Sequence, residues 1–177
     1  MVFDDNVIAF VKTAAEFCAF MEHTEHLSRV EFVNTVLMLL PLLYLRAYTL
    51  GAGTDQYEDD LERYVTEEVY HSVRQRVAAL LGSWDDYLDV FVQDMKYSDT
   101  PVKASISEDL ADIYQELRDF VFVFSLGWEQ TMKQALALCM EQFPSRWGQK
   151  TVNTLRALHE VRYHNLSGEE DLSDYTL

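Results

Sequence analysis

The sequence predicts an all-α protein, a single-domain bundle of six or seven mostly antiparallel helices, and three observations carry that expectation. Hydrophobic residues make up 49% of the 177 positions, enough for a sizeable core. Glycine and proline number only 6 and 3, fewer than the turns of a β-sandwich or doubly wound sheet require. Apolar residues recur at intervals of three and four over long stretches, the period of amphipathic helices. The domain is expected over 1–164. Residues 165–177, with four acids and no base, read as an acidic flexible tail.

Asp4 to about Glu22 reads as the first helix, with Ile8, Val11, Ala15, Cys18 and Met21 as its apolar stripe and Asp4–Asp5 at its positive end. Ser28 and Glu31 have the spacing of a capping box. They open a second helix whose apolar positions, Val30 to Leu45, nearly surround it, which argues for a central place. Pro41 is expected to kink it near Leu37, and Gly51-Ala52-Gly53 to end it. Thr54–Arg63 reads as an acidic loop. A helix then starts between Asp60 and Thr66, carries Val69, Val73, Val77, Leu80 and Leu81, and stops at Gly82.

The segment 86–103 is the least regular. Leu88–Val92 collects β-branched and aromatic residues that suit either a strand or a short helix. The connection from Asp94 to Ser107 reads as an ordered loop, anchored by Met95, Tyr97, Val102 and Ile106, that borders the main surface cleft. Ser105 and Glu108 then form a second capping-box spacing before the clearest helix of the chain. Its inward positions are Leu110, Ile113, Tyr114, Leu117, Phe120, Val121 and Phe124, with Asp109, Asp112, Glu116 and Asp119 between them. Gly127 follows. Trp128, Met132, Ala135, Leu136, Cys139, Met140 and Phe143 make a further helix that Pro144 ends, and a last one runs from about Arg146 to Tyr163.

Thirty acids against 14 bases give a net charge of −16, which disfavours nucleic-acid backbones and anionic membranes as partners. Cys18 and Cys139 lie in apolar stripes and read as buried, reduced residues, as in a cytoplasmic protein. The N-terminus has acids where a signal peptide needs bases. The longest apolar run, Val36–Leu45, is half of a membrane span.

The chemistry is sparse. Glu68-Val69-Tyr70-His71 matches the Glu-x-x-His element of di-iron bundles, but one copy of it cannot build such a site. His159 and His164 are five residues apart, about 140° around a helix, and cannot share one ion. There is no nucleophile elbow, P-loop or dinucleotide glycine pattern. Asp109, Asp112 and Glu116 share one helical face and could bind a cation or act as acid and base if that face lined a cleft.

The stretch DMKYSDTPVKASISEDLADIYQELRDF, with EEVYHSVRQRVAALLG before it and the helix from Trp128 after it, resembles a bacterial helical family, domain of unknown function 5063. Leu110-Ala111-Asp112-Ile113-Tyr114-Gln115 is the most specific part of the match. The resemblance implies a helical bacterial protein and transfers no activity or cofactor. It points to Asp94, Tyr97, Asp99, Asp109, Asp112 and Tyr114 as an interaction surface.

Together these readings favour a non-enzymatic protein-interaction or regulatory module of a bacterial cytoplasm, with a protein partner and no cofactor. The alternatives are a metal-binding or enzymatic bundle using Glu68/His71 or the Asp109–Asp112–Glu116 face, and an acidic decoy of a nucleic-acid-binding protein.

Overall fold

The computed structural model describes residues 3–51, 61–89 and 102–165. Among these are six α-helices and one β-hairpin: α1 (Asp5–Glu22), α2 (Arg29–Leu50), α3 (Glu67–Leu81), β1 (Asp86–Asp89), β2 (Val102–Ser105), α4 (Ile106–Ser125), α5 (Glu129–Gln142) and α6 (Gly148–Glu160). The all-α expectation holds, and α4 is its axis, packing against α1, α3, α5 and α6. Leu110, Ile113, Leu117 and Phe120 supply its inward face.

In α1 the expected stripe is buried at Cys18 and Met21, but in the first half of the helix the buried face is rotated from it. Val7, Phe10, Ala14, Phe17 and Met21 face inward, while Ile8 is 36% exposed and Val11 and Ala15 are half-buried. Both stripes have helical spacing, and the one carrying the larger side chains is inside. Phe10 stacks on Phe120 at 5.5 Å and on Trp147 at 6.1 Å. Cys18 and Cys139 are buried free thiols, and burial pushes both pKa values up, so neither is a ready nucleophile.

α2 opens with the expected capping box: Glu31 N donates to Ser28 Oγ at 3.2 Å and Ser28 N to Glu31 Oε2 at 2.9 Å. It runs unbroken through Pro41 and ends at Gly51, whose φ of 74° suits glycine. Its expected central position is not what the fold adopts. It packs chiefly on α1 and α6, so Phe32, Val36, Leu40 and Leu43 are buried while Met38, Leu45 and Tyr48 face outward. α2 has more apolar surface than the bundle has partners for it. By length and composition alone Arg29–Leu50 could cross a membrane; here its inner face is core.

Residues Val102–Ser105, expected as loop, form a strand antiparallel to Asp86–Asp89, with Asp86 opposite Ser105 and Leu88 opposite Lys103. The strand sits earlier than Leu88–Val92, and Lys103 Nζ lies 2.7 Å from Asp86 Oδ2 across it. The hairpin changes how α4 begins. Because Ser105 is the last residue of β2, its hydroxyl makes no capping bond to the backbone and only a 3.5 Å contact to Glu108 Oε2. Asp85, at the start of the hairpin, takes over that role. Its carboxylate accepts from Ser107 N at 2.7 Å and Ser107 Oγ at 2.6 Å, and its carbonyl accepts from Ile106 N at 2.8 Å. The anion that a helix N-terminus favours is thus already present, supplied by a residue 22 positions earlier.

Two expectations near the C-terminus are also corrected. Trp128 is 74% exposed, because it precedes the first turn of α5 rather than joining its stripe. Pro144 does not end the helical path. A π-helical turn, Phe143–Trp147, carries it into α6. The carbonyl of Cys139, left without its usual partner when Phe143 N turns to Met140 O, accepts the Trp147 indole N–H at 2.8 Å. Position 148 must be glycine, since a Cβ there would lie 2.6 Å from Phe143 Cδ2 and against the Phe143 carbonyl oxygen.

Candidate functional site

On α4, Asp109, Asp112, Glu116 and Asp119 follow at intervals of three, four and three, so they form one line along the edge of the core-facing residues. That line is not simply solvated. Lys150, in the first turn of α6, reaches Asp109 Oδ1 at 3.0 Å and Asp112 Oδ2 at 2.7 Å. Tyr87 of β1 donates its hydroxyl to Asp109, and Tyr70 of α3 donates to Asp112 at 2.7 Å. Five residues from four elements, separated by up to 80 positions, meet in this cluster. Asp109 is only 6% exposed, so its charge depends on these partners. Burial draws the Lys150 ammonium down, but its bonds to Asp112 and Asp109 outweigh that and hold its pKa above the ordinary lysine value. Burial, reinforced by the neighbouring carboxylates, pushes both tyrosine hydroxyls up. They remain donors at any physiological pH.

One turn on, the same face lines a cleft of about 440 Å³ between α4, α5 and the 61–63 segment. Its apolar floor includes Phe120, Val123, Ala135, Leu138 and Trp147. Its rim carries Arg63, Glu116, Asp119, Gln142 and Arg146. Asp119 Oδ1 accepts from Tyr64 N and Val65 N, both at 2.8 Å, which ties the 61–66 segment to α4. Glu116 is held less firmly: among the described residues its only ion pair is to Arg146 Nη1, at 3.4 Å, and that nitrogen lies equally far from Gln142 Oε1. Burial pushes the Glu116 carboxyl above its ordinary range, and the Arg146 guanidinium offsets this only in part. Burial does the same to Asp119, against the pull of its backbone donors.

Of the surface expected from sequence, Asp109 and Asp112 come together on Lys150, and Glu116 adjoins them. Tyr114 faces elsewhere. It is buried, and its hydroxyl donates to Glu22 Oε1 at 2.8 Å, an atom that also accepts from Arg118 Nε at 2.8 Å. Asp94, Tyr97 and Asp99 lie outside the described residues. Val102–Ser107, the described part of the connection expected to border the cleft, is not among its walls. Glu68 and His71 are both exposed on α3, with His71 Nε2 3.5 Å from Glu67 Oε1. Among the described residues no group of three or more His, Cys, Asp or Glu is arranged to hold a metal ion. Lys150, Arg146, Tyr70 and Tyr87 carry no sequence signal, because each meets α4 from another element.

A second concavity, of about 320 Å³, lies between α2 and α6 and is lined by Pro41, Tyr44, Leu45, Tyr48, Val152 and Leu155, with Thr151. Leu45 is 56% and Tyr48 70% exposed, and Met38 and Val152 extend the apolar surface. Lys150 and Val152 are two residues apart, about 200° around α6, so the cleft and this groove occupy opposite sides of that helix.

The family model described as domain of unknown function (DUF5063) matches residues 1–164. A crystal structure of protein BF1032 from Bacteroides fragilis is similar at a TM-score of 0.81 and 48% identity, covering 94% of this chain and 98% of that one. No curated protein matches.

Proposed function

The chain belongs to the family of domain of unknown function 5063, and from that membership, which brings a fold and no activity, we propose a non-enzymatic interaction module that docks an amphipathic helix of a partner protein between α2 and α6. One observation carries this reading: the outward face of α2 is apolar, exposed and almost free of acid in a chain of net charge −16. After Glu31 the only charged residue of α2 is Arg46, and on the groove side of α6 Arg156 precedes the first acid, Glu160. A groove between two helices with apolar walls suits the i, i+3, i+7 anchors of a third helix. The neighbouring bases favour acidic flanks on that helix, and a basic partner would gain less here than elsewhere on this surface.

Site-specific photo-crosslinking tests it. A crosslinker at position 48, with position 67 on α3 as control, should trap one protein in the native host through a peptide with helical apolar spacing. Tyr48→Asp should abolish co-purification of that protein and shift the thermal midpoint by no more than about 2 °C, as an exposed substitution does. Trapping of a second copy of the chain, of a peptide without that spacing, or equally at both positions would overturn the proposal.

A further inference from the structure

The cleft on the other side of α6 has a different character, and its unused bonding capacity is specific. Asp112 is engaged by Lys150 and Tyr70, and one oxygen of Asp119 by two backbone amides. What remains among the described residues is Glu116, half-buried with a single long ion pair, the exposed Glu62, and two rim guanidiniums. Arg146 is 63% exposed in its side chain, and Arg63 is exposed close enough to lower the Glu116 and Asp119 pKa values. A simple anion at Arg146 and Arg63 would meet Glu116 and Asp119, and a simple cation at Glu116 would meet both arginines. A molecule carrying both charges satisfies each group without opposing the other. Between them, Phe120, Val123 and Leu138 form an apolar floor, and the volume lies in the range of small-molecule sites.

We infer that this cleft binds a small zwitterion with an apolar side chain, an amino acid or short peptide, with its ammonium on Glu116, its carboxylate on Arg146 and Arg63, and its side chain on the Phe120–Leu138 floor. The inference is independent of the docking groove, which shares no residue with the cleft.

Isothermal titration calorimetry with L-leucine and L-leucyl-L-leucine tests it, with isoamylamine and isocaproate as probes that each lack one charge. At least one zwitterion should bind saturably at or below millimolar concentration, and both single-charge probes about tenfold or more weakly. Glu116→Gln should weaken the zwitterion and the amine but not isocaproate. Arg146→Ala should weaken the zwitterion and isocaproate but not the amine. Both side chains lie at the cleft rim, and circular dichroism is the check that each variant folds; Arg63→Ala provides a further variant of the carboxylate arm. Tyr48→Asp, in the groove, should leave binding unchanged. Absence of saturable binding by either zwitterion, binding of isocaproate or isoamylamine as tight as the zwitterion, or unchanged affinity in Glu116→Gln would overturn the inference.

Discussion

The carboxylates of α4 invite comparison with one another. Asp109 and Asp112 share side-chain chemistry and helical spacing with Glu116, one turn on, yet their surroundings differ. The two aspartates close on Lys150 and two tyrosine hydroxyls, and their cation comes from the chain itself. Glu116 has one long contact to an exposed arginine. Spacing along a helix therefore places a row of acids but does not say which of them are committed to the fold. That is decided by what α3, α6 and the hairpin bring alongside.

The largest expected effect comes from emptying the committed pair. Lys150→Met leaves Asp109 buried without a cation and should cost about 3 kcal/mol, the low end for breaking a buried pair because Lys150 is one-third exposed. Urea unfolding measures it, and a loss near zero would make the two regions equivalent. The start of α4 offers the same contrast between a residue with the right spacing and one with the right neighbours. Asp85→Ala should cost about 2 kcal/mol, the upper end for a cap, while Ser105→Ala should cost little. Reversal of that order by thermal unfolding would restore the local capping box. Tyr87→Phe removes one bond to a charged acceptor and should cost roughly 1.5 kcal/mol.

Glu116→Gln should show the smallest effect and the most informative sign. Burial holds the folded-state pKa of Glu116 above the ordinary 4.5, so the folded state takes up its proton before the unfolded chain does. The favourable contribution of this group is therefore present below pH 4.5 and lost as pH rises through the raised value. The glutamine variant, always neutral, should be more stable than wild type near neutral pH by less than about 0.5 kcal/mol, with the gain vanishing toward acid. Destabilisation at neutral pH would place Glu116 among the committed acids.

Much of the scaffold is legible in the sequence because it is local. The Ser28–Glu31 box, the stop at Gly82 and the inward face of α4 rest on residues within one or two turns of each other. The rotated first half of the α1 stripe was not legible, since two adjacent stripes share one period and only Phe120 and Trp147, far along the chain, choose between them. The acidic face was legible as a face. Its division into a closed clasp and an open cleft was not, because Lys150 lies 41 residues from Asp109 and is an ordinary helix lysine by its neighbours. Nor does a proline three residues before Trp147 announce that the chain will widen its turn rather than stop.

That widened turn sets the angular phase of everything after it. α6 follows α5 without a flexible joint, so Lys150, Thr151 and Leu158 take their directions from the number of residues between Gln142 and Gly148. The π turn takes up one residue more than an ordinary α turn; a further residue inserted there, which it has no room to absorb, would rotate α6 by about 100°. Lys150 would leave the two aspartates, and the groove side of the helix would swing toward the core. A single codon in this stretch thus governs both faces of α6 at once, and length changes are far less permissible there than substitutions.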